Sequence, residues 1–216
     1  MSTARIRPAP AKRALRQAQE LAILRAAERV FARAGFAAAT MSEIAREADL
    51  PKANLHYYFR TKQAIYRAVL DHILESWLEP THVIRPDAHP RQALAHYVRA
   101  KMKLSAERPE ASRVFANEVL HGAPEILDHL RGPLRRLVQD KARVIETWIE
   151  RGWMRAVDPQ HLFFTIWAAT QTYADFEAQV CAVLGRQRLE RRDFERATRH
   201  VSTLVLRGCG LEEEAR

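Results

Sequence analysis

Residues 40–59, TMSEIAREADLPKANLHYYF, decide the fold. Thr40-Met-Ser-Glu43 has the form of a capping box, in which the threonine hydroxyl and the glutamate carboxylate satisfy each other's free backbone amides. It predicts a short helix from Met41 to Ala48. Asp49-Leu50-Pro51 follows as a tight turn, and Pro51 suits the first turn of a second short helix, expected from about Lys52 to Phe59. Ile44, Ala45, Ala48 and Leu50 are placed to bury the contact between the two helices. Leu55 and Phe59, four residues apart, are placed to anchor the second helix to a core. That leaves Lys52, Ala53, Asn54, His56, Tyr57 and Tyr58 for another partner. Two short helices joined by a tight turn have the anatomy of a helix-turn-helix, whose second helix reads the major groove of DNA. Tyr57 and Tyr58 remain open between DNA-facing and core roles, since aromatic residues at helical spacing commonly pack inside.

The flanking sequence completes a three-helix head. Leu21, Leu24, Ala27, Val30 and Phe31 repeat with helical period from about Gln17 and stop at Gly35, expected to be a left-handed helix terminus. Residues 1–19 hold Arg5, Arg7, Lys12, Arg13 and Arg16, no acidic residue, and prolines at 8 and 10. They read as a flexible basic arm able to become helical near its end, suited either to tracking the minor groove or to simple solvation. Thr61 is placed to cap a fourth helix that runs through Ile65, Val69, Ile73 and Trp77 and ends near Pro80. Of the net charge of +9, residues 1–70 carry +8, with 13 Lys/Arg against 5 Asp/Glu. That asymmetry favours a polyanion-binding module followed by a near-neutral domain.

Further helices are expected at about 91–107, 110–120, 124–152, 159–184 and 190–207, beyond a connector at 85–90 and separated by breaks at Gly122-Ala-Pro124, Arg151-Gly152 and Gly185. With seven glycines in 216 residues and no persuasive alternation of period two, the chain is predicted to be all-α, with about nine helices. The expected organisation is an arm at 1–19, a DNA-binding domain at 20–65 and a helical ligand-sensing and dimerisation domain at 66–216. Cys181 and Cys209 lack metal-site or redox spacing, and apolar runs such as Leu162 to Ala169 are too short to span a bilayer. A soluble, cytoplasmic protein without an apolar signal core is the expectation.

The spaced positions Phe31-x3-Gly35-Phe36, Thr40-x3-Ile44-Ala45-x2-Ala48 and Leu55-x3-Phe59-x2-Lys62 resemble the signature of the TetR family of transcriptional regulators. The resemblance implies that Thr40, Ser42, Tyr58 and Lys62 touch phosphates and that residues 52–57 face bases. Asp49 stands where the family often has glycine, Pro51 where a serine cap is common and His56 where tyrosine is common, so base preference does not transfer. Segments of the domain expected over 66–216 resemble pyrimidine-responsive members of the same family: Trp77-Leu78-x-Pro80, Pro109-x-Ala111-Ser112-Arg113-x-Phe115, Gly122-Ala123-Pro124, Asp158-Pro159-Gln160-His161-Leu162 and Ile166-Trp167-Ala168-x-Thr170-Gln171-x-Tyr173-Ala174-Asp175-Phe176. They imply uracil or thymine as effector.

Trp167 and Gln171 share a helix face, as do Trp167 and Thr170, whereas Tyr173 and Asp175 are expected to point elsewhere. An indole beside a carboxamide suits a flat, hydrogen-bonding molecule. The candidate ligand residues are therefore Trp77, Trp167, Thr170 and Gln171, with Lys101, Ser105, Arg113, Asn117 and Glu118 in reserve. Core packing is the competing role for Trp77 and Trp167, and a structural ion pair for Arg113. The last two long helices resemble the pair that forms the dimer interface in this family, with Val201, Leu204 and Val205 in its apolar stripe. The partners so implied are a palindromic double-stranded operator, a small effector and a second copy of the chain. No cofactor, metal or catalytic residue is expected. The rivals are a regulator of efflux or fatty-acid genes with a larger apolar ligand, an architectural nucleic-acid-binding protein without a ligand, and a helical di-metal enzyme built on Glu79-x-x-His82 and Glu118-x-x-His121.

Overall fold

The computed structural model describes residues 10–211, and every regular element among them is helical. The chain divides into two compact units at Asp71/His72, inside a helix rather than at the 65/66 boundary expected from sequence. In the first unit α1 spans Pro10–Ala38, α2 Met41–Glu47 and α3 Lys52–Tyr58, and α4, Lys62–Leu78, begins there. The capping box forms as expected: Glu43 N–H donates to the Thr40 hydroxyl and Thr40 N–H to the Glu43 carboxylate. Thr61 receives the Ala64 N–H at the start of α4. Ile44, Ala45, Leu55 and Phe59 are buried, together with Leu24, Val30, Phe31, Ile65 and Tyr66, while Ala48 and Leu50 are only half-buried.

Three local expectations change. The helix begins at Pro10, not near Gln17, so it takes in residues 10–19, more of the arm than the end where helix was expected; residues 1–9 lie outside the described part. Gly35 does interrupt α1, but with φ 73° and ψ 167°, a region reserved for glycine and distinct from the left-handed helical one. Pro51 sits one position before α3, at its N-cap, without a side-chain cap.

The second unit holds the rest of α4, a 3₁₀ turn at Glu79–Val83, α5 (Pro90–Glu107) and α6 (Pro109–Leu120). It continues with α7 (Leu127–His129), a π turn at Leu130–Leu134, α8 (Arg135–Glu150), α9 (Pro159–Asp175), α10 (Glu177–Leu184) and α11 (Arg191–Gly208). Tyr97, Trp148, Phe163, Ile166 and Val201 lie in its core. The helix expected over 124–152 starts late, because Ala123 is left-handed (φ 57°), and it widens into the π turn at Pro133. Proline has no N–H to donate, and its ring crowds the carbonyl four residues back. The helix expected over 159–184 breaks at Phe176 (φ −116°, ψ 33°), next to Asp175, whose carboxylate is held by the Ser112 hydroxyl of α6.

Asp49, exposed in the turn between α2 and α3, has φ 52°. A left-handed backbone costs an L-residue about 1 kcal/mol that glycine avoids, offset in part by glycine's greater freedom when unfolded. Asp49→Gly is accordingly expected to raise stability by up to about 1 kcal/mol in urea titrations. A loss of stability would show that the carboxylate compensates for its backbone.

Candidate DNA interface and ligand cavity

On the first unit the exposed surface of α2 and α3 presents Thr40, Ser42, Lys52, Ala53, Asn54, His56 and Tyr57, with Tyr58 half-buried. Leu55 and Phe59 turn inward, so the helical period itself sorts α3 into an anchoring face and an outward one. Tyr57 is 71% exposed and so lies outside the core, and its ring meets that of Tyr58 edge-on at 5.4 Å.

Lys62 is differently placed from its expected phosphate role. Its ammonium donates to the carbonyl oxygens of Phe36, Ala37 and Ala39 at 2.6, 2.9 and 2.8 Å and lies 4.7 Å from the Phe36 ring centroid. All three donors of the ammonium are thereby used on carbonyls at the end of α1, where helix geometry leaves acceptors unpaired and the dipole favours a cation. In this arrangement Lys62 fastens α1 to the start of α4 and has no donor to spare for a phosphate.

In the second unit, α4, α5, α6, α9 and the π turn surround a cavity of about 50 Å³ lined by Leu74, Trp77, Leu78, Lys101, Phe115, Leu134, Trp167 and Gln171. Four expected ligand residues meet there, from three helices. Trp77 stacks edge-on to Phe115, and its buried Nε1 has no hydrogen-bond partner. Lys101 is 3% exposed, and its ammonium sits 4.3 Å from the Trp77 ring centroid without a hydrogen bond among the described residues. Burial pushes the Lys101 pKa down to about 7, against the opposing pull of the Asp175 charge. Burial likewise raises Asp175, while the Ser112 hydrogen bond and the charges of Arg113 and Lys101 lower it. Trp167 donates its indole N–H to the Tyr97 hydroxyl at 2.7 Å, leaving a ring face to the cavity.

The other expected ligand residues are elsewhere. Thr170 is buried, but its hydroxyl donates to the Ile166 carbonyl of its own helix. Ser105 is buried away from the cavity lining. Asn117 is exposed on α6, and Arg113 pairs with Glu177 at 3.2 Å, the structural role considered for it. Glu118 accepts the Glu125 N–H and closes the turn after α6; its companion His121 is exposed, with its ring nitrogen against the Asn117 carbonyl. That pair is occupied in holding a turn, and among the described residues no cluster of three or more His, Cys, Asp and Glu could hold a metal ion. Asp175, expected to point away, accepts the Ser112 hydroxyl and lies near enough to Lys101 for the two charges to act on each other. The signal was available: 167, 171 and 175 are spaced by four and fall on one helix face. Leu134 was not foreseeable, because the π turn shifts the register that brings it in.

Val201 and Val205, expected in a dimer stripe, are buried within the unit, and only Leu204 is exposed. These α11 residues and Val157, His161, Leu162, Thr165 and Ala169 border an open, mainly apolar groove of about 340 Å³. Among the described residues no helix is long and apolar enough to cross a membrane.

Comparison with known proteins gives consistent results for both units. Residues 23–69 match the family model of bacterial regulatory proteins, tetR family, and residues 70–212 match that of the YcdC-like protein, C-terminal region. The chain is 41% identical over 191 residues to the HTH-type transcriptional regulator RutR of Escherichia coli K12, covering 88% of this chain and 90% of that protein. It is 33% identical over 100 residues to the HTH-type transcriptional repressor NicS of Pseudomonas putida, covering 46% and 47% of the two. The crystal structure of a tetR-family regulatory protein from Rhodococcus RHA1 shares the fold, with a TM-score of 0.69 at 23% identity over 90% of this chain and 98% of its own.

Two outcomes follow from this geometry. Lys62→Ala strands the carbonyls at the end of α1 and is expected to destabilise the protein by about 1–3 kcal/mol, measured by chemical denaturation; unchanged stability would return Lys62 to the phosphate role. Because burial lowers the Lys101 pKa below its unfolded value, the unfolded chain holds the proton over a pH range where the folded chain has released it. Stability contributed by this residue therefore rises from about pH 7 upward, until the unfolded lysine also titrates. Lys101→Met is expected to flatten that rise in thermal melts between pH 7 and about pH 10, and a rise that persists in the variant would assign it to other groups.

Proposed function

As the chain belongs to the TetR family of transcriptional regulators, we propose that it is a dimeric repressor that leaves a palindromic operator when a small flat pyrimidine, uracil or thymine, enters the cavity of the second unit. One observation carries the effector assignment: Trp77, Lys101, Trp167 and Gln171 converge on one small enclosure, where the Trp77 Nε1 is buried without a hydrogen-bond partner and the buried Lys101 side chain sets its ammonium 4.3 Å from the Trp77 ring centroid. Buried donors left unpaired are costly, and a ligand rich in carbonyl oxygens relieves them. Uracil presents two carbonyl acceptors flanking an N–H donor, the pattern a carboxamide such as Gln171 pairs with by one acceptor and one donor. The indole faces supply apolar contact to a planar ring.

At about 50 Å³ the cavity has room for a few water molecules, so a base enters by modest displacement of the side chains around it, whereas an acyl chain needs several hundred Å³. The larger-ligand reading retains one supporting feature. An open groove of about 400 Å³, lined by Leu130, Leu134, Val138, Phe164 and Trp167 among others, shares Leu134 and Trp167 with the cavity.

The helix-turn-helix supplies the DNA-binding half of the proposal, with Thr40, Ser42 and Tyr58 at phosphates and Lys52, Ala53, Asn54, His56 and Tyr57 toward bases. The groove beside α11 is the face proposed for the second copy, which matches the two-fold symmetry of a palindrome. α4 begins at Lys62 in the first unit and carries Trp77 one residue from its end. A ligand that binds better to the arrangement unfit for DNA lowers operator affinity by the same coupling free energy.

Calorimetry with uracil, thymine and a medium-chain acyl ligand tests the assignment, alongside operator titration with and without each. The bases are expected to give a heat of binding and to weaken operator affinity. Gln171→Ala should lose about tenfold or more in base affinity, as expected for about 1–3 kcal/mol of lost pairing, and still bind the operator. Binding of the acyl ligand alone would replace the pyrimidine with a larger apolar effector.

A further inference from the structure

We propose that the first turns of α1 form a second DNA-contacting element, with Arg13 and Arg16 on the phosphates that flank the groove read by α3. The proposal rests on DNA binding by the helix-turn-helix and adds to it a surface outside that motif. Residues 10–19 continue α1 as a helix, so their charges occupy fixed positions on its surface. The Arg16 guanidinium lies 5.8 Å from the Tyr57 ring centroid, and Gln19 shares a concavity of about 270 Å³ with Leu50, Asn54, Tyr57 and Tyr58. This part of α1 therefore runs beside the outward face of the recognition helix.

Arg13 and Arg16 are both exposed, three residues apart on one helix face, and neither forms an ion pair among the described residues. From Gln19 back to Arg13 the helix advances about 9 Å, comparable with the major-groove width of about 12 Å. With Gln19 beside the base-reading face, Arg13 stands near the sugar–phosphate wall of that groove. An Arg16 stacked on Tyr57 also holds that exposed ring in place while its remaining N–H groups stay free for an anion.

Counterion release makes the test quantitative, because each neutralised phosphate contributes about 0.9 to the slope of log affinity against log salt. Operator affinity is measured from low to moderate salt for wild type, Arg16→Ala and Arg13→Ala/Arg16→Ala, with melting temperature and effector heat as controls that both variants should leave unchanged. The slope is expected to shrink by about one for the single variant and about two for the double. An unchanged slope overturns the proposal, and so does a changed base preference at unchanged slope, which would make Arg16 only a positioning residue for Tyr57. Failure of the wild-type protein to bind any operator would instead defeat the function on which the proposal rests.

Discussion

A lysine ammonium buried among aromatic rings constrains the whole second unit. Taking a charge out of water is costly unless it is paired or released. Lys101 meets that cost by three routes: the Trp77 ring face at 4.3 Å, the charge of Asp175, and a pKa lowered to about 7. Each route depends on other elements. Trp77 is held by Phe115 of α6; Asp175 is held by Ser112, also of α6, at the break that ends α9; Trp167 is fixed by its bond to Tyr97 on α5. Four helices are thus committed to a small enclosure whose mainly apolar walls hold one lysine and one carboxamide, which a uniformly apolar core would not require.

The first unit is organised by a smaller set of polar contacts at helix ends. The Thr40–Glu43 box starts α2, Leu55 and Phe59 seat α3, and Lys62 gathers three carbonyls at the end of α1. Short helices have little stability of their own, so these terminal contacts and a few buried side chains determine where the outward face of α3 points. The lysine that family resemblance placed at DNA instead donates, in this geometry, to three carbonyls that link the end of α1 to the start of α4.

Features written in local chemistry were legible from the sequence. The capping box, the period that buries Leu55 and Phe59, and the pairing of Trp167 with Gln171 all depend on residues within a few positions of one another. Features that depend on distant partners were not. Nothing near Lys62 announces that its acceptors are residues 36, 37 and 39, and the helical state of residues 10–19 was obscured by prolines at 8 and 10. The π turn at Pro133 carries Leu134 into the cavity through a register shift that apolar periodicity does not encode. Asp175 was a different case, since its spacing from Trp167 and Gln171 already put it on their face.

A structure of the protein crystallised with uracil tests the central claim most directly. The base is expected in the cavity between Trp77 and Trp167, with a carbonyl oxygen within hydrogen-bond distance of the Lys101 ammonium and the Gln171 carboxamide paired along one edge. A base seated instead in the open groove beside α8, or a cavity that stays closed at saturating uracil, would contradict it.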